Sequence, residues 1–232
     1  MKIFSLLIPL HNEDKNILVL YNEIVDSLKN YSNYEIIFIN DASNDLTFER
    51  LKIISKNKSN LIIVNNEKNI GQSLSIIKGA KTANSDIIIT IDGDCQNDPK
   101  DIIKLYEKYI SDINLKLVAG IRLNRKDNII KKTTSFIANK IRDYFLHDEC
   151  IDTGCGLKVF DKKIFLNFKE FDGIHRFLPA LFKGFNHRVC FISVNHRPRF
   201  SGFSKYGTLK RGISGLRDIF FVKRIIEKKE LK

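Results

Sequence analysis

The 232-residue chain is 43% hydrophobic and carries 39 Lys and Arg against 27 Asp and Glu, a formal charge of +12 at pH 7. That size and apolar content exclude a disordered chain and suffice for one well-packed core, while no apolar run approaches the roughly 20 residues that a membrane-spanning helix needs. The opening stretch "MKIFSLLIPLHNED" turns polar after a short strand-like run and offers no small-residue cleavage site, so a cytoplasmic protein is expected.

In chain order, short β-rich runs alternate with amphipathic stretches at helical spacing. Strands are predicted at Ile3 to Pro9, Tyr34 to Asn40, Leu61 to Asn65 and Asp86 to Asp92, with helices between them over about 13–29, 44–57 and 70–82. A further helix is expected from Pro99, capped by Asn97 or Asp98, and a strand at Leu115 to Gly120. The basic stretch "IRLNRKDNIIKKTTSFIANKIRDYF" then places Ile130, Thr134, Ile137, Ile141 and Tyr144 on one helical face. An irregular region comes next, then a strand at Arg188 to Asn195 and a helical tail from about Thr208. The βαβα order implies an α/β fold: a mostly parallel central sheet with helices on both faces and a C-terminal amphipathic helical tail. No repeat or linker interrupts it, so residues 1–207 are expected to form one catalytic domain and 208–232 a basic extension.

Ligands of such sheets bind at the carboxyl ends of the strands, where Asn12, Glu13, Asp41, Asp92 and Asp94 gather. In "IIITIDGDCQND", Asp92 and Asp94 flank a glycine at a strand end; with extended geometry both would face one spot and repel unless a cation lay between them. Oxygen ligands of this kind suit Mg²⁺ or Mn²⁺ bridging a diphosphate, and Gln96 can add a neutral oxygen. Taken alone, an Asp-x-Asp match is equally a solvated turn. The four cysteines lack zinc-type spacing and are read as free thiols; Cys95 beside the acidic pair has no neighbouring base to make it a nucleophile.

Positive charge is unevenly spread: residues 1–115 net −3, 116–146 net +6, 147–198 net +2 and 199–232 net +7. Nucleic acid, anionic lipid and a phosphorylated substrate all fit such basic segments. The acidic first half and the lack of a recognised motif leave nucleic acid the remote alternative.

The stretches "SLLIPLHNEDKNI", "EIIFINDASNDLT", "NEKNIGQSLSIIKGAKTANSDIIITIDGDCQNDP", "GCGLKVF" and "RPRFSGFSKYG", in order over about residues 3–207, resemble the family-2 nucleotide-sugar glycosyltransferases of GT-A fold, in their polyprenyl-phosphate (dolichol-phosphate mannose synthase-like) branch. The resemblance implies that Pro9, His11, Glu13 and Asp41 line the nucleoside, and that Asp92, Asp94 and Gln96 form the metal and diphosphate site, with Asp92 also touching the nucleotide. It places Arg122 at the donor or acceptor phosphate, Lys131, Lys132 and Ser135 on the lipid phosphate, and Arg199, Ser204 and Lys205 in the closing signature of the acceptor site. Asn40 stands where the family usually has an aspartate and Ala42 where it has glycine or asparagine, which leaves Asp41 alone to read the nucleoside, and His11 stands where tyrosine is common, which changes the ring stacking expected there.

The activity implied by the resemblance is an inverting, Mg²⁺- or Mn²⁺-dependent transfer from a nucleotide-diphosphate sugar to a polyprenyl phosphate at the inner face of the cell membrane. An acceptor phosphate is already an anion and needs no strong base. Were the acceptor a glycan hydroxyl, a base would be required, and Asp152 is the candidate, with a cap or turn residue as the equal alternative. In the tail, Leu209, Ile213, Leu216 and Phe220 share a helical face among Lys210, Arg211, Arg217, Lys223 and Arg224. Such a helix lies on an anionic membrane or packs on the core or on a second subunit of a homo-oligomer.

Overall fold

The computed structural model describes residues 3–122, 140–200 and 208–232, and side chains within the last segment from residue 217. Seven strands form one sheet in the order β3-β2-β1-β4-β6-β5-β7. In chain order these are β1 (Ser5–Leu10), β2 (Glu35–Asn40), β3 (Leu61–Asn65), β4 (Ile87–Thr90), β5 (Leu115–Arg122), β6 (Lys158–Asp161) and β7 (Arg188–Val194). The helices are α1 (Asp14–Ser27), α2 (Thr47–Ser55), α3 (Gln72–Thr82), α4 (Lys100–Ile110), α5 (Lys162–Asn167), α6 (Ile174–Gly184) and α7 (Thr208–Lys228), with a further helical stretch at 140–146.

The first four strands read as apolar runs because the sheet is covered on both sides. Leu6, Ile8 and Leu10 of β1, with Ile36 and Phe38 of β2, point into a cluster closed by Ile17, Leu20 and Ile24 of α1 and by Ile102 and Leu105 of α4. The alternate residues Leu7, Ile37 and Ile39 face a second cluster with Ile76, Ile77 and Ala80 of α3 and Phe177, Leu178 and Leu181 of α6. Each such buried aliphatic contributes roughly 1.5–3 kcal/mol relative to exposure, so the period-two pattern of the strands fixes which helix lies on which face.

β1 pairs in parallel with β2 and β4, β2 with β3, and β5 with β7. β6 runs antiparallel between β4 and β5, with Thr90 opposite Lys158 and Val118 opposite Val159. This is where the expected irregular region is corrected. Residues 147–187 hold β6, α5 and α6: β6 is too short, at four residues, to show a period, and Gly173 and Pro179 disguise α6, although Ile174, Phe177, Leu178 and Leu181 keep helical spacing. The reversal of β6 brings the segment "GCGLK" alongside the end of β4.

The tail is built into the body over its second half. Ile219, Val222 and Ile225 of α7 are buried in the second cluster, and Leu231 bridges to Phe168. Phe220, on the opposite side, is exposed.

Candidate active site

β4 ends at Thr90, two residues earlier than expected, so Asp92 and Asp94 stand in a turn rather than on an extended strand. The turn is held by Asp94 Oδ1, which accepts the Gln96 N–H at 3.1 Å, and passes through Cys95 at φ 62°. Burial, and then the neighbouring Asp94 carboxylate, push the Asp92 carboxyl up to about 6, although Lys158, Arg122 and Gln72 favour its charged form. A buried carboxyl held this high, with a second carboxylate beside it, suits a divalent cation.

Space for the Asp92 carboxylate is made by glycine. A Cβ on Gly156 would land on that carboxylate, and one on Gly154 would come within 2.9 Å of Arg122 Nη2. Gly156 of "GCG" is therefore the cradle of an acidic residue 64 positions earlier in the chain, while Gly154 makes room for Arg122. Thr90 Oγ1 fastens the cradle to β4 by donating to the Gly156 carbonyl at 2.7 Å, and the buried Lys158 donates to the Cys155 carbonyl.

Arg122 and Asp152 form a fork-to-fork pair. Arg122 Nε and Nη2 donate to Asp152 Oδ2 and Oδ1 at 2.8 and 2.7 Å, and the Arg122 backbone N–H donates to Oδ2 at 3.0 Å. Burial opposes the guanidinium charge, but the Asp152 carboxylate outweighs it and raises Arg122 above the ordinary arginine value. Three donors on one carboxylate leave Asp152 badly suited to accept a proton from a substrate.

Across the site, Arg199 Nη2 lies 2.7 Å from Asp94 Oδ2. The chain leading to Arg199 is stitched antiparallel onto the acidic turn: Asn97 bridges to His196, Arg197 N–H donates to the Gln96 carbonyl at 2.8 Å, and the Arg197 guanidinium grips Glu23 at 2.7 and 3.1 Å. The Gln96 side-chain amide nitrogen is turned toward the Arg197 carbonyl, at 3.4 Å, so the side chain serves the strap while the backbone N–H holds the turn.

At the other end of the cleft, the Asp41 carboxylate accepts from Asn66 Nδ2 and Ile70 N–H at Oδ1, both at 2.9 Å, and from Gly71 N–H at Oδ2, at 2.8 Å. His11 Nδ1 sits 2.8 Å from the Asp41 carbonyl, and Glu13 accepts from the Asn16 amide at 2.5 Å. Pro9 lies in β1 opposite Ile39, one residue from the strand end. A recess of about 260 Å³ opens beside them, lined by Asn40, Ala42, Ser43, Phe48, Asn65 and Asn66 among others.

The fold thus gathers Pro9, His11, Glu13 and Asp41 at one end, and Asp92, Asp94, Gln96, Arg122, Asp152 and Arg199 at the other. Lys131, Lys132, Ser135, Ser204 and Lys205 lie outside the described residues. Gln72 and Lys158 were not legible as site residues in the sequence; Gln72 donates to Asp92 Oδ1 at 2.9 Å from the first turn of α3, and only the pairing of Lys158 with Thr90 reveals its place. Cys95, Cys150 and Cys155 are buried, and burial raises all three thiols, Cys95 and Cys155 to about 11, which excludes a nucleophilic role near neutral pH.

The donor set fits a Mg²⁺- or Mn²⁺-type ion. Asp92 and Asp94 would offer hard carboxylate oxygens, the Asp92 carboxylate lying against Gly156, and among the described residues no group of three His, Cys, Asp or Glu side chains forms a closed cage.

Residues 5–168 match the family model described as Glycosyl transferase family 2. The chain belongs to that family. This family-2 transferase is 33% identical over 227 residues to the dodecaprenyl-phosphate galacturonate synthase of Rhizobium johnstonii, covering 95% of this chain and 67% of the relative. It is 31% identical over 211 residues to the undecaprenyl-phosphate 4-deoxy-4-formamido-L-arabinose transferase of Aeromonas hydrophila, covering 90% and 64%. The chain therefore spans about two thirds of the length of these curated relatives. In fold it is similar to glucosyl-3-phosphoglycerate synthase from Mycobacterium tuberculosis, solved with Mn²⁺, UDP-glucose and phosphoglyceric acid, at TM-score 0.69 and 15% identity over 96% of this chain and 79% of that one. The GT-A type of architecture expected from the sequence is thereby established, and the chain is a glycosyltransferase by family.

Proposed function

We propose that this family-2 transferase moves a sugar from a nucleoside diphosphate donor to the phosphate of a polyprenyl phosphate, by direct inverting displacement at an anionic membrane surface. The observation that carries the reading is the Arg122–Asp152 fork: the carboxylate that a hydroxyl acceptor would need as base is bound on three sides by Arg122. An acceptor phosphate arrives already ionised, so its oxygen forms the new bond to the anomeric carbon without losing a proton to the protein. The anomeric C–O bond to the diphosphate breaks, and the electron pair leaves with the nucleoside diphosphate.

The residues divide this work. Asp92 and Asp94 hold the cation, which when bound supplies positive charge against the leaving diphosphate. Arg122 and Arg199 face the phosphates from either side of the acidic turn, as charge-assisted donors. Asp41, His11, Glu13 and Pro9 border the nucleoside end, next to the recess at the ends of β2 and β3. The printed activities of the two curated relatives, both on polyprenyl phosphates, support the acceptor class.

Contact with lipid is supported by an aromatic patch. Tyr144, 75% exposed, stacks edge-on against Phe145 at 5.2 Å, and Phe145 meets Phe220, 54% exposed, at 5.0 Å. Lys223 lies 5.3 Å over the Phe145 ring, with Arg224 exposed one residue on. This patch is the membrane contact we assign to the described residues, among which no helix is long and apolar enough to cross a membrane.

The test is to incubate the purified protein with Mn²⁺ or Mg²⁺, polyprenyl phosphate and a panel of labelled nucleotide sugars. The expected result is label in an organic-soluble sugar phosphate lipid, dependent on both cation and lipid phosphate. Transfer at full rate to a glycan hydroxyl without polyprenyl phosphate would overturn the reading.

A further inference from the structure

Asp41 and Asp92 stand at opposite ends of the cleft, and a single short segment touches both. Asp41 Oδ1 accepts the Ile70 N–H and Asp41 Oδ2 the Gly71 N–H, at 2.9 and 2.8 Å. Gly71 sits at φ 84°, and the next residue, Gln72, opens α3 and donates its side-chain amide to Asp92 Oδ1 at 2.9 Å. Asn66, which lines the recess, completes the Asp41 shell, donating to Oδ1 at 2.9 Å and to Ser75 Oγ at 3.1 Å. Asp41 is 3% exposed and receives three donors, all from the chain itself.

The physical consequence is directional. A carboxylate that accepts two successive backbone N–H groups fixes the turn before a helix, as a cap does. Where that turn points determines whether the Gln72 amide reaches Asp92. Gln72 in turn ties down one oxygen of Asp92 and so sets the direction of the other. Geometry within a fraction of an ångström decides how well a carboxylate ligates a small cation.

We propose that Asp41 is a positioning residue for the cation site: it fixes the 70–72 turn so that Gln72 orients the Asp92 carboxylate, linking the nucleoside end of the cleft to the metal end. Nucleoside bound beside Asn66 and Asp41 then tightens the same turn that serves the cation, so the two ligands bind cooperatively. This inference rests on the reading of Asp92 and Asp94 as the cation site.

Mn²⁺ alone, without nucleotide, is the probe, its free concentration read from the electron paramagnetic resonance signal of the hydrated ion. Wild type, Asp41→Asn, Gln72→Leu and the double variant are compared, with melting temperature as the check on folding. Asparagine at 41 must turn its NH₂ toward one of the two backbone donors, which breaks the turn without changing its size. Each single variant is expected to bind Mn²⁺ about tenfold more weakly, and the double variant no more weakly than the poorer single one, because both act through one contact. In turnover, the Mn²⁺ concentration giving half-maximal rate rises by the same factor in Gln72→Leu. Should Asp41→Asn fail to fold, Gln72→Leu with UDP added still decides: the gain in Mn²⁺ affinity that UDP confers on the wild type must shrink. Unchanged Mn²⁺ affinity in Gln72→Leu, or additive losses in the double variant, overturns the inference while leaving the cation site standing. Wild type that binds no Mn²⁺ removes the cation reading and the inference with it.

Discussion

Arg199 Nη2 and Asp94 Oδ2 lie 2.7 Å apart, so the arginine expected on the acceptor phosphate is paired with a carboxylate expected on the cation. One guanidinium therefore has two competing partners. A divalent ion arriving at Asp94 competes with Arg199 and frees it to face phosphate. Arg199→Ala is expected to bind Mn²⁺ about three- to tenfold more tightly without substrates, the scale of a partly buried ion pair. The same variant should raise KM for polyprenyl phosphate far more than KM for the nucleotide sugar. Titration calorimetry and steady-state kinetics check both, and unchanged Mn²⁺ affinity would show that the pair does not compete. Asp94→Ala should abolish transfer while keeping the melting temperature within a few degrees of wild type.

The cation site should weaken in acid. Asp92 is raised to about 6 in the folded protein by burial and by Asp94, above its ordinary value of 3.8. Below pH 6 a proton competes with the ion, and the rise in melting temperature given by Mn²⁺ is expected to shrink between pH 7 and pH 5. Without cation the sign reverses. A folded carboxyl that holds its proton more tightly than the unfolded one costs stability as pH climbs from about 4 through 6. Asp92→Asn should consequently melt higher than wild type at pH 7.5 in chelator and lose that advantage near pH 4. A variant that melts lower at pH 7.5 refutes the assignment.

Arg122 and Asp152 have side chains only 15% and 5% exposed, and each neutralises the other. Asp152→Ala leaves a guanidinium buried and unpaired, a loss of about 3–5 kcal/mol in urea unfolding. Replacing both at once, as Arg122→Met with Asp152→Leu, should recover most of that stability and none of the activity. If Asp152→Ala were instead as stable as wild type and merely slow, with the lost rate restored by small carboxylates such as formate, Asp152 would be a base after all.

The aromatic patch gives a binding prediction. Tyr144→Ser with Phe220→Ser should lower sedimentation with vesicles containing anionic lipid several-fold, and added salt should weaken the wild type through Lys223 and Arg224. Equal sedimentation of variant and wild type would move the lipid contact elsewhere on the chain.

Much of this was readable in the residues. Apolar runs bounded by turn residues placed β1 to β4 within two residues at each end, because strands buried on both faces tolerate little else. The acidic pair, the "GCG" segment and Arg199 stood out as quoted motifs. What the sequence could not convey was their mutual relation: Asp152 read equally as base or turn residue, and its contact with Arg122, 30 positions away, appears only in the folded chain. Asp41 read from the sequence as a residue lining the nucleoside; that its carboxylate also holds the turn before α3 shows only in the structure.

The sequence by itself therefore determined the order of elements from β1 to β5 and the closing strand and helix, the two-faced core and the kinds of chemical group available, since all of these follow from local periodicity and residue type. Tertiary structure alone decided the antiparallel seat of β6, the glycine cradle beneath Asp92, the Gln72 contact and the partners of each charge. The reason is physical: a charge takes its meaning from neighbours within a few ångströms, and here those neighbours come from positions 20 to 105 residues away.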